Sequence, residues 1–266
     1  MPIEAFIEQD LPQLRDLQPE EWNPLTPVFE FYLHSDFCFP VKYSERGIIA
    51  GVGVTIIHQH TAWLAHIIVH KEYRNKGIGS IITQALIHAA GKPGVQTILL
   101  LATALGEPVY QKHGFKKELS YIFVKRDEEI ILEDIPAVLL YQANFKNELL
   151  KFDYEISGED RSKLIIPHLN ETRIVVDQNT IQGYYIPTLQ EGPIIARNEK
   201  AAASLIQFKH ATGITKAAFP EINIHATQLL TDLGFKEYMK SSRMYLGKPL
   251  TWQPAKIYSR IGGNLG

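Results

Sequence analysis

Hydrophobic and polar positions change period several times along the first half of the chain, and each change marks an element. "IEAFIEQ" from Ile3 reads as a strand, and helical spacing follows around Leu11–Leu17 and Trp22–His34. "VKYSER" and "GIIAGVGVTIIH" read as consecutive strands joined near Arg46-Gly47, and His60-Thr61 turns the chain into a third, "AWLAHIIV". Ile78, Ile81, Ile82, Ala85, Leu86 and Ala89 then recur as one apolar helix face, which "GKPG" (Gly91 to Gly94) stops with breaker residues. "VQTILLLA" is an apolar run of strand length, consistent with a strand buried on both faces. A short helix around Pro108–His113 and a last strand, "SYIFVKR", close this half. Strands outnumber helices and mix hairpins with crossovers, which predicts an α+β fold around a mixed sheet.

The second half echoes the first. Asp10-Leu11-Pro12 returns as Asp134-Ile135-Pro136, "RNKGIGSII" from Arg74 as "RNEKAAASLI" from Arg197, and "GFKKE" from Gly114 as "GFKEY" from Gly234. Each match is short, but all three fall in order at nearly one offset. They predict a duplicated domain of about 120 residues, an ordinary domain size. A charged stretch, "KRDEEIILED" (Lys125 to Asp134), separates the copies, giving expected domains 1–127 and 128–266.

Composition narrows the classes. The chain has 266 residues, enough for one large domain or two of ordinary size, and a formal net charge of −2, which argues against a sequence-independent nucleic-acid binder. Cys38 is the single cysteine, so no intrachain disulfide can form; a reducing cytoplasm fits, and so does a disulfide-free secreted protein. "MPIEAFIEQDLPQLRDL" carries acids and no apolar core, unlike a signal peptide, and the apolar runs are far below membrane-spanning length. The expectation is a soluble cytoplasmic protein with no membrane and no nucleic-acid partner.

Arg74-Asn75-Lys76-Gly77-Ile78-Gly79 fits R-x-x-G-x-G between a strand and a helix. N–H groups at a helix start lack intrahelical partners, the dipole favours negative charge there, and glycine lets a ligand reach the main chain. A pyrophosphate suits such a nest, with Lys71, Arg74 and Lys76 adding positive charge. A plain glycine turn before an ordinary helix is the competing reading. The dinucleotide fingerprint fails because Ile82 fills the place of its third glycine, and the P-loop fails because Gly79-Ser80-Ile81 does not supply G-K-[ST].

Val69 to Gly79, as V-x-x-x-x-R-x-x-G-x-G, resembles motif A of the GNAT superfamily of acetyl-CoA-dependent N-acetyltransferases. "ATALGEPVYQKHGF" (Ala102 to Phe115) is similar to the helix and strand that follow, ending Y-x-x-x-G-F at Tyr110, Gly114 and Phe115. With the ending "RMYLGKP…IYSRIGGNLG" from Arg243, the chain resembles a bacterial group with an acetyltransferase domain followed by a divergent copy. It departs at Ala104-Leu105, where the group often has Pro-Ala, and at Leu101, where an acid is frequent.

The resemblance implies two tandem GNAT-like domains, each a mixed, mostly antiparallel sheet flanked by helices. It implies acetyl transfer from acetyl-CoA to the primary amine of a small-molecule acceptor by direct attack. A protein lysine or N-terminal acetyltransferase and a CoA-binding sensor without turnover are the alternatives. The strand of Ile67, Ile68 and Val69 should splay from that of Leu100–Ala102 and pair with pantetheine. Arg74, Asn75, Lys76, Gly77, Ile78, Gly79 and Ser80 should hold the pyrophosphate, and Thr103, Gly106 and Tyr110 should also contact the cofactor. Tyr110 is the implied proton donor to the leaving thiolate, with a core tyrosine as the alternative. His66 is the candidate base, and a structural or cofactor-facing histidine is the alternative. Strict alternation points His66 away from Trp63, Ala65 and Ile67, although a bulge could rotate it. Glu30, His34 and Asp36 are weaker candidates. No metal is implied, and a homodimer is compatible with the chain. Arg197-Asn198-Glu199-Lys200-Ala201 has lost the glycines, so one CoA site per chain is expected, in the first half.

Overall fold

The computed structural model describes residues 3–19, 22, 24–91, 94–128 and 138–265. Most of the charged linker, the echo at Asp134-Ile135-Pro136, Lys92-Pro93 and the terminal Gly266 lie outside the described residues. The chain forms two compact units that interleave in sequence. One takes Met1–Lys117, Met244–Pro249 and Leu265, and the other takes Glu118–Arg243 and Leu250–Asn264. Both are mixtures of helix and mostly antiparallel strand.

The first unit runs β1 (Ile3–Ala5), a 3-10 helix (Glu8–Leu17), α1 (Leu25–Leu33), β2 (Cys38–Glu45), β3 (Ile48–His58), β4 (Thr61–Val69), α2 (Ile78–Ala90), β5 (Thr97–Ala102) and α3 (Glu107–Lys112), and leads into β6 (Lys116–Lys125). β1 through β5 lie side by side in chain order, antiparallel up to β4, with β4 and β5 parallel. The expected first strand is shorter than its alternation suggests. The buried Asp10 carboxylate accepts from Ile7 N–H at 2.8 Å and pairs with Lys42 Nζ at 2.7 Å. That capping bond takes the backbone into a helical turn instead of the sheet. α2 presses on β3 at its glycines: a Cβ at Gly53 would sit 2.7 Å from Ile82 Cγ2. Its Ile78, Ile82, Leu86 and Ala90 pack with Leu64, Ile98 and Leu100. The predicted apolar face is therefore buried at Ile78, Ile82 and Leu86, whereas Ile81, expected on it, is exposed, and Ala90 is buried where Ala89 is expected. Late residues complete this core: Met244 joins it, and Thr97 Oγ1 donates to Lys248 O at 2.7 Å.

The second unit continues with β7 (Leu139–Leu140), α4 (Lys146–Ser157), α5 (Ser162–Ile165), β8 (Arg173–Asp177), β9 (Thr180–Tyr185), β10 (Ile194–Ala196), α6 (Glu199–His210), β11 (Lys216–Pro220), α7 (Ile224–Asp232), β12 (Lys236–Gly247) and β13 (Ile257–Ser259). β6 pairs antiparallel with β11, and five strands form the order β13-β10-β9-β8-β7. The repeat is visible in the backbone. Phe115 N–H bonds Tyr110 O at 3.1 Å, and Phe235 N–H bonds Leu230 O at 2.9 Å. The two helix-to-strand corners therefore match, with Leu230 where the first copy has Tyr110. This unit also buries charge. Arg161 donates through Nε and Nη2 to the Asp153 carboxylate (3.1 and 2.5 Å), Tyr184 donates to the same carboxylate, and Arg243, stacked 3.9 Å over Trp252, pairs with Glu118. Among the described residues of both units, no helix is long and apolar enough to cross a membrane.

Candidate active site

Between β4 and α2 the chain makes one 3-10 turn (Lys71–Tyr73) and reverses through Asn75 (φ 62°) and Gly77 (φ 80°). Left-handed φ costs little at glycine, which has no Cβ to clash. A Cβ at Gly77 would meet nothing within 4 Å, and one at Gly79 only Val69 Cγ2, at 3.7 Å. The approach to this backbone is open. Ile81 N–H bonds Gly77 O at 3.1 Å, while the N–H groups of Gly77, Ile78, Gly79 and Ser80 have no acceptor among the described residues. Four N–H groups left open at the positive end of a 13-residue helix form a cradle that can take an anion.

The side chains sort themselves around the cradle. Ile78 is buried in the core, so it can serve a ligand only through its main chain. Arg74 Nε donates to Val69 O at 3.2 Å, and Lys76 Nζ lies 4.7 Å over the Tyr73 ring; both cations are exposed beside the turn. Ser80 Oγ is hydrogen-bonded to His113 Nε2 at 2.8 Å, tying the first turn of α2 to the end of α3. Sequence reasoning missed His113, because nothing in its local pattern points 33 residues back to Ser80.

β4 and β5 open toward the same end. Their pairing runs Thr61–Thr97, Ala62–Ile98 and Trp63–Leu99, and stops there. Beyond Trp63, β4 keeps β3 as its partner, and a bulge interrupts even that ladder. Val54 pairs with Ala65 and Val52 with Ile68, leaving His66 and Ile67 opposite Gly53 alone. His66 sits at φ 47°, an uncommon conformation for a residue with a Cβ. The bulge reverses the alternation. Leu64 faces the α2 core before it, and Ile67 and Val69 face that core after it. His66 thus leaves the face that strict alternation assigns and turns toward α1, on the side away from Ile67. There Nδ1 lies 2.9 Å from the Tyr32 hydroxyl, and the rings of Trp22, Phe29 and Tyr32 stand within 6.0 Å. Burial pushes the His66 pKa down to about 4, so the imidazole is neutral at physiological pH.

Tyr110 lies on the α2 side. Its ring packs on the α2 core and 6.1 Å from Phe115, and its hydroxyl has no hydrogen-bond partner among the described residues. Burial raises its pKa to about 12, which keeps the phenol protonated at neutral pH. Thr103 O accepts from Gly106 N and Glu107 N, at 3.0 Å each, and so starts α3 under the exposed Leu105. The structure therefore joins the cradle, the Thr103–Gly106 turn and Tyr110 on one face of β4, and places His66 on the other. Glu30 lies on α1 and His34 follows its last residue. They line an open groove of about 590 Å³ with Glu8, Leu11 and Phe31, which neither His66 nor Tyr110 reaches.

The equivalent helix start in the second unit is closed by its own side chains. Asn198 Oδ1 accepts from Ala201 N at 2.9 Å, and Glu199 places a carboxylate in the first turn, 2.8 Å from His225 Nε2. An anion there would meet a filled cap and a like charge.

Known proteins bear on both units. The model of the "Acetyltransferase (GNAT) family" matches residues 3–115, and that of the "Acetyltransferase (GNAT) domain" matches residues 149–259. Two similar proteins carry the name "putative acetyltransferase". One, from Bacillus subtilis (strain 168), is 27% identical over 123 residues, which are 46% of this chain and 78% of that protein. The other is a crystal structure from Pyrococcus horikoshii with a TM-score of 0.83 and 20% identity, covering 99% of this chain and 95% of its own. A GCN5-related N-acetyltransferase from Sphaerobacter thermophilus follows the fold at a TM-score of 0.64 and 13% identity, over 95% of this chain and 97% of that one. At these identities the two crystal structures show shared architecture alone.

Proposed function

The chain belongs to the GNAT family of acetyltransferases and is an N-acetyltransferase; from that premise we propose that its first unit acetylates the primary amine of a small-molecule acceptor by direct attack. The observation that carries this reading is the open cradle at Gly77–Ser80 beside two parallel strands that part after Trp63–Leu99. Enzymes of the family act on amines of small molecules or proteins, with acetyl-CoA supplying the activated acetyl group.

In this proposal the N–H groups from Arg74 through Ser80 hold the pyrophosphate, with the Arg74 and Lys76 charges beside it. The main chain of Ile67, Ile68 and Val69 binds pantetheine as an added strand and polarises the thioester carbonyl. Thr103 and Gly106 border the cofactor at the start of α3. The amine nitrogen forms the new C–N bond as the C–S bond breaks, and Tyr110 gives its proton to the departing thiolate. His66 meets the acceptor from the α1 side. The second unit, with its helix start capped by Asn198, holds no second donor molecule.

Tyr110→Phe tests the reading. CoA release against an amine panel should show kcat lower by roughly 100-fold, the lower range for loss of a general acid, while CoA affinity stays unchanged. An unaltered kcat would remove Tyr110 from the mechanism.

A further inference from the structure

The hydrogen bond between Tyr32 and His66 links two side chains that the reaction scheme leaves unconnected. Tyr32 is fully buried on α1, and His66 is held at a left-handed bulge with the rings of Trp22, Phe29 and Tyr32 within 6.0 Å. At 2.9 Å the hydroxyl and Nδ1 share one proton position, so one group donates and the other accepts. A phenol is a strong O–H donor and a weak acceptor, whereas an unprotonated imidazole nitrogen is a good acceptor. The favourable arrangement is O–H donating to Nδ1. In a neutral imidazole the remaining proton then sits on Nε2. Nε2 has no partner among the described residues.

We propose that Tyr32 is a positioning residue that fixes His66 as the Nε2–H tautomer, so that His66 presents a hydrogen-bond donor to the acceptor molecule and does not serve as the general base. An acceptor carrying an oxygen near its amine fits such a donor. The amine then loses its proton to water, with proximity to the thioester carrying the rate. The strained backbone at His66 has a role on this account, since a flat strand would turn the imidazole away from Tyr32. The role toward the acceptor rests on the acetyl-transfer reading, whereas the tautomer does not.

The test is long-range 1H–15N correlation on the full chain labelled in histidine nitrogen, near neutral pH. The His66 signals are assigned by their loss in His66→Gln. The expected signature is a protonated Nε2 and an unprotonated Nδ1, moving toward a mixture in Tyr32→Phe. A protonated Nδ1, or a Tyr32→Phe spectrum identical to the parent, overturns the proposal. The second arm is kinetic. Glutamine can place an N–H near the Nε2 position, so His66→Ala should lose about tenfold more kcat/KM than His66→Gln, the worth of one good hydrogen bond. Equal losses overturn the donor role. If no variant and no parent turns over, the acetyl-transfer reading fails by itself, and the nitrogen shifts still decide the tautomer.

Discussion

Gly77→Glu is expected to abolish CoA binding while the protein remains folded. The new side chain has room, because nothing lies within 4 Å of the Cβ position. Its backbone cost, from a left-handed φ of 80°, is about 1–2 kcal/mol, which a domain of this size tolerates. The effect on the cradle is larger. A carboxylate near the phosphates adds like-charge repulsion, about 4 kcal/mol at 4 Å in a surface-type dielectric. Displacing the ligand also weakens charge-assisted N–H contacts of roughly 1.5–3 kcal/mol each. Together these predict at least about 100-fold weaker affinity by titration calorimetry, with an unchanged circular dichroism spectrum. Affinity within about threefold of the parent would place the pyrophosphate elsewhere.

Asp153→Ala should cost the second unit about 3–5 kcal/mol, the usual effect of removing one partner of a buried ion pair. Asp153 is 1% exposed and accepts from Arg161 and Tyr184, both also buried. Burial alone would lower the Arg161 pKa, and in the parent the Asp153 charge more than offsets that. Without the carboxylate the guanidinium still stays charged, because its ordinary pKa is so far above neutral. The variant leaves a buried cation without its hydrogen-bonded carboxylate, and an orphaned hydroxyl, in the core. Urea unfolding followed by intrinsic fluorescence should show an earlier transition, while CoA affinity in the first unit is retained. A shift below about 1 kcal/mol would mean that water reaches Arg161 and relieves the buried charge.

These residues differ in how far the sequence announces them. The cradle is legible because its requirements are local: a strand end, two glycines and a helix start within eleven residues, Val69 to Gly79. The duplication is legible because corners such as Tyr110–Phe115 and Leu230–Phe235 close through the same short-range bonds. His66 marks the limit. Its residue type drew attention, but its direction depends on a bulge opposite Gly53, and strict alternation gives the wrong face. Tyr32, its partner, lies 34 residues away on a helix, with no sequence pattern joining the two. The Asp153–Arg161 pair looks like ordinary surface charge in the sequence, and only β9 carrying Tyr184 against α4 reveals it as core. The expected strand "IEAFIEQ" breaks early because Asp10, three residues beyond Ile7, captures its N–H.

Titrating acetyl-CoA into the 266-residue chain, followed by calorimetry, counts the donor sites. An open cradle at Gly77–Ser80 and a closed one at Asn198–Ala201 predict one equivalent bound per chain. Two equivalents, or no heat from folded protein, would contradict it.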